Sequence, residues 1–110
     1  MSLDVEQNRM TAVAELWRAH REATLPARSR STEVAGVDMV TLDANVAGCV
    51  SSWLQNGGAI DDRRWDVLAT CERQLECVIP ELPGDEAGYH TRLLDMAALV
   101  LGAPRGSPSA

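Results

Sequence analysis

A chain of 110 residues with 45% hydrophobic and 24% charged residues has the proportions of one soluble globular domain, and at this length one hydrophobic core is feasible but not two. Ten arginines and no lysine against sixteen carboxylates leave a net charge of −6, which argues against general attraction to nucleic acid or anionic lipid. The start, Met1-Ser2-Leu3-Asp4-Val5-Glu6, lacks the basic and apolar runs of a signal peptide, and no stretch approaches the ~18 apolar residues of a membrane span, so the sequence predicts a cytoplasmic protein.

Apolar residues recur at helical spacing and strand-like alternation is almost absent. The first helix is predicted over 4–24, with Met10, Val13, Leu16 and Trp17 on one face, His20 in the same arc, and Pro26 helping to end it. Residues 27–37 have no sustained period and read as the longest connection. A second helix, 39–56, places Met39, Leu42, Val46, Cys49, Val50 and Trp53 on one stripe and stops at Asn56-Gly57-Gly58, which suits left-handed backbone angles.

The third helix, 61–79, begins with Asp61 as N-cap, and Ile60 and Trp65 then stand at the positions of a hydrophobic staple. Its stripe is Trp65, Leu68, Cys71, Leu75, Val78 and Ile79. Pro80 and Pro83 bracket a turn into a fourth helix, 84–101, with Tyr89, Leu93, Met96, Ala97 and Val100 on a broad apolar arc that Gly102 and Pro104 close. Four amphipathic helices joined by mostly short connections predict an all-α, antiparallel four-helix up-and-down bundle, with an orthogonal four-helix array as the alternative. The predicted domain is 1–102, followed by a flexible Pro/Gly/Ser-rich tail, 103–110.

Catalytic signatures are missing: no nucleophile elbow, no phosphate-binding glycine loop, no His-Glu-x-x-His and no dinucleotide fingerprint. The chemistry-bearing residues are instead ionisable groups at apolar positions. His20, Glu72, Glu86 and His90 fall inside the apolar arcs and Asp43 on a flank, and up-down topology gathers them toward one end of the bundle. Facing Glu and His side chains are how bundles hold metals, but the paired Glu-x-x-His motifs of di-iron bundles are absent. A self-satisfied polar network is therefore the expectation, with no metal or other cofactor.

On the second helix, Ala44, Gly48, Ser51 and Gln55 form a strip opposite the large apolar residues, explained either by close packing within the bundle or by a dimer or partner interface. Three cysteines without Cys-x-x-Cys spacing predict free thiols. Cys77 projects away from the stripe, which makes it the candidate reactive thiol. Charge is uneven: residues 1–30 carry net +1 and residues 31–110 net −7, so Arg18, Arg21, Arg28 and Arg30 suit an acidic partner or a second copy.

The stretch Leu42-Asp43-Ala44-Asn45-Val46-Ala47-Gly48-Cys49-Val50, followed by a Trp-Leu pair, Gly57-Gly58 and Glu81-Leu82-Pro83-Gly84, resembles small uncharacterised proteins of actinobacteria. The resemblance covers residues 39–102 and implies a bacterial origin but no functional residue. The sequence as a whole predicts a non-enzymatic, acidic interaction protein: an adaptor, an inhibitor or an immunity- or antitoxin-like regulator, homodimeric, with a protein partner and no affinity for nucleic acid or membrane. The alternative is a bundle that binds a metal or small ligand at its polar end.

Overall fold

The computed structural model describes residues 2–27 and 33–104 and is all-α apart from one minimal hairpin. Helix α1 spans Ser2–Glu22, strands β1 and β2 span Glu33–Val34 and Val37–Asp38, and helices α2, α3 and α4 span Met39–Gln55, Asp62–Val78 and Gly84–Leu101. Each helix packs on its neighbour in sequence, and α4 closes the ring against α1. α2 and α4 also touch across one diagonal, more closely than α1 and α3 do across the other. This is the ring of contacts of a four-helix bundle.

The predicted stripes meet at the centre. Val13 from α1, Leu42, Val46 and Val50 from α2, Leu68 and Leu75 from α3, and Leu93, Met96 and Val100 from α4 are all essentially without solvent contact. Two calibrations of the sequence reading concern tryptophan and the tail. Trp53 is buried as its stripe requires, but Trp65, in the first turn of α3, is only half-buried. Ala103, assigned by sequence to the mobile tail, is buried and belongs to the core, so the packed unit runs one residue further than expected. Residues 105–110 of that tail, and Arg28 and Arg30, lie outside the described residues.

The connection read as irregular contains the hairpin. Ala35 and Gly36 both take positive φ, 52° and 78°, the two-residue turn whose twist matches antiparallel strands. Glu33 then pairs with Asp38, and Val34 with Val37. The hairpin delivers Asp38 to the N-cap of α2, where one carboxylate oxygen accepts the Val40 and Thr41 N–H groups at 3.0 and 3.1 Å. Asp61 caps α3 as predicted, accepting the Arg64 N–H at 2.8 Å.

The far end of α4 is held by a residue no local pattern identifies. Arg9 of α1 donates from Nη1 to the Leu99 carbonyl at 2.9 Å, occupying one of the carbonyls that a helix C-terminus leaves open. A Cβ on Gly102 would come within 3.0 Å of that nitrogen. The glycine is therefore set by the arginine's approach, since its own φ of −79° is open to any residue.

Candidate functional site

Where the end of α1, the start of α2 and the start of α4 converge, the bundle holds a compact polar cluster centred on Asp43. His20 Nε2 lies 3.0 Å from Asp43 Oδ1, and the Tyr89 hydroxyl donates to the same oxygen at 3.1 Å. The rings stack around this point: Trp17 on His20 at 6.0 Å between centroids, His20 on Tyr89 at 5.1 Å, and Tyr89 edge-on to His90 at 5.0 Å. His20 is 7% exposed and His90 fully buried.

Each contact has a local cause. His20 lies three residues after Trp17 on α1, so both side chains occupy one face, and the ring reaches across to the first turns of α2. His90 Nδ1 donates back to the Glu86 carbonyl one turn earlier, at 2.9 Å, which fixes its tautomer and leaves Nε2 as the acceptor. Glu86 is itself buried, with its N–H donated to Asp85 Oδ1 at 3.0 Å. Burial pushes the Tyr89 phenol well above its usual range, and Asp43 adds to this both by its charge and by accepting the hydrogen bond, while Arg92 pulls weakly the other way. Tyr89 thus serves Asp43 as a fixed neutral donor.

Of the five residues expected to gather, His20 and Asp43 bond directly, and Glu86 and His90 adjoin them through the first turns of α4. Glu72 does not join. It is half-buried on α3, the helix diagonal to α1, and an inward position on one helix does not bring it to the corner formed by the other three. Sequence reasoning missed Tyr89, which was read as a packing residue. Its signal was available, since a buried phenol needs a hydrogen-bond partner and Asp43 is a carboxylate at that end of the bundle.

The cluster is mostly buried, and its Tyr89 also lines a hollow at the surface. His20 Nδ1, His90 Nε2 and Arg92 Nη1 are buried without a hydrogen-bond partner among the described residues. Yet no group of three or more His, Cys, Asp or Glu side chains among those residues is arranged to hold a metal ion. Next to it, Ala23, Thr24, Pro26, Asp85, Gly88, Tyr89 and Arg92 line a shallow surface hollow of about 440 Å³.

The α2 strip lies elsewhere and faces outward. Ala44, Gly48 and Gln55 are exposed and Ser51 is half-buried, and a Cβ on Gly48 would meet nothing within 4 Å. Packing inside this chain therefore does not require the glycine. Gln55 donates to Ser51 Oγ at 3.2 Å, so the strip's lower half is satisfied locally. Its upper half opens into a groove of about 400 Å³ between α2 and the first turn of α3, where Ala44, Asn45 and Gly48 face Arg63, Arg64 and Val67.

All three thiols are free. Cys49 donates to the Arg64 carbonyl at 3.5 Å, and burial pushes its thiol up. Burial, aided by the neighbouring Cys49, pushes Cys71 up to about 11, so both are inert packing groups. Cys77 is exposed at the other end of α3.

No family model, curated protein or solved structure matches this chain. Among the described residues, no helix is long and apolar enough to cross a membrane.

Proposed function

We propose that this chain is a small, acidic, non-enzymatic interaction protein of the cytoplasm, dimeric, acting as an adaptor, an inhibitor or an immunity- or antitoxin-like regulator through the outer face of α2. The observation that carries this reading is the charge pattern of that face. Val40, Thr41, Ala44, Asn45, Gly48 and Gln55 are exposed and Ala47 and Ser51 half-exposed, and none of them is charged, in a chain where 24% of residues are. Val40, 44% exposed, is one of two large hydrophobic residues among those described that stand out into solvent. Absence of charge across an exposed patch is one mark of an interface centre, and the small residues here leave room for another backbone to come close. His20, by contrast, ties α1 to α2 through Asp43, and His90 bonds within α4.

The test is the mass in solution of the wild type and of Gly48→Leu. Because the space above Gly48 is open, leucine leaves the helical circular-dichroism spectrum unchanged while blocking approach across the face. A wild-type dimer lost in the variant supports the reading, and a wild-type dimer that survives the leucine moves the interface away from α2.

The alternative is a metal- or small-ligand-binding bundle. It draws on the two unpartnered imidazole nitrogens, but lacks a third ligand among the described residues. Titration with zinc, manganese or iron(II) discriminates: the interaction reading expects an unchanged melting temperature, and an increase abolished by His90→Ala would favour the metal.

A further inference from the structure

The α2 face is bordered by charge in a pattern that fits one occupant. Two grooves adjoin along it and share Asn45 and Val67 as their common wall. The first, of about 400 Å³, carries Arg63 and Arg64 with Asp61, a net positive charge. The second, of about 300 Å³, carries Asp66 with Thr70, Cys71 and Gln74. Arg64 is committed to Asp61 at 2.9 Å, but Arg63 and Asp66 are exposed and, among the described residues, neither makes an ion pair. A cationic groove and an anionic groove therefore lie side by side, each with one uncommitted charge at its edge.

An acidic partner would gain Arg63 and meet Asp66, and a basic partner the reverse. A second copy of this chain, related by a two-fold axis near Asn45 and Val67, sets each groove against its opposite, because an isologous contact pairs residue i with j and j with i. Two copies each bearing −6 repel over most of their surfaces, so the uncharged α2 face with this self-matched edge is where they can meet. Building on the proposed interaction role of that face, we infer that its occupant is a second copy, docked two-fold so that Arg63 of each protomer pairs with Asp66 of the other. Gly48, lining the first groove, gives the approaching backbone its room.

Charge exchange tests the pairing by sedimentation velocity at low and moderate salt, with circular dichroism confirming the fold of each variant. Both residues are exposed, so the substitutions spare the core. Arg63→Asp or Asp66→Arg alone places like charges opposite each other twice per dimer and should weaken association roughly tenfold or more, with Arg63→Gln intermediate. The double variant Arg63→Asp/Asp66→Arg should restore it. A wild-type dimer insensitive to either reversal, or single losses that the double variant does not repair, overturns the pairing while leaving the α2 face as an interaction surface. A wild type that stays monomeric overturns the dimer itself.

Discussion

Asp43 is the residue on which three helices converge, and its one oxygen receives both His20 and Tyr89. Tyr89→Phe removes the phenolic donor without changing the ring packing. The expected loss is about 1.5–3 kcal/mol, the range for a hydrogen bond to a charged group, read from urea unfolding. A change below about 0.3 kcal/mol would mean that water replaces the hydroxyl at no cost, and that the cluster does not tie α4 to α2. Ala35 presents the opposite case, a residue that works against its own conformation. At φ 52° it sits in the left-handed region, where an L side chain costs about 1–2 kcal/mol. Ala35→Asn creates the Asn-Gly pair that this turn prefers, and should raise stability by about 0.5–1 kcal/mol in thermal unfolding.

Between elements, two couplings are open to measurement. Arg9 bonds the Leu99 carbonyl and crowds Gly102, so the two positions are not independent. Gly102→Ala should destabilise the wild type and cost less in an Arg9→Ala background, giving a non-zero coupling in a double-mutant cycle; additive effects would show that the arginine yields freely. At the α2–α3 contact, Cys71 titrates at about 11 in the folded state against 9.0 for the free thiol. Between those values the unfolded chain releases a proton that the folded chain keeps, so stability falls as pH rises from 9 toward 11, with the raised Tyr89 adding to the fall above its own ordinary range. Cys71→Ala should flatten the 9-to-11 part of that slope, whatever its effect at neutral pH.

The elements differ in how far sequence exposes them. Four helices are legible because Leu42, Val46 and Val50, or Leu68 and Leu75, repeat at a spacing that only a helix turns to one side, and Asp61 and Asn56-Gly57-Gly58 mark ends by local chemistry. The hairpin is not, because two residues per strand carry no period and the turn depends on Ala35 taking an angle its side chain disfavours. Asp38 was passed over as the cap of α2 for the same reason, since the hairpin positions it. The polar corner is half-legible. His20, Asp43, Glu86 and His90 follow from which helix ends must meet, whereas excluding Glu72 requires knowing that α3 is diagonal to α1, and Arg9 contacts Leu99 across 90 residues of sequence.

For the whole molecule, the interior is bound up with stability, and the outer face of α2 is the proposed recognition surface. Leu68→Ala or Leu75→Ala, both at positions without solvent contact, should cost about 2–5 kcal/mol and unfold the bundle cooperatively. A loss under about 0.5 kcal/mol at both would place the core elsewhere. The uncharged α2 face makes a distinct demand, since nothing among the described residues covers it. Sedimentation equilibrium of the wild type from micromolar to millimolar concentration tests that demand most directly. The account predicts reversible association to twice the chain mass of 11.9 kDa, and a mass of 11.9 kDa throughout would contradict it.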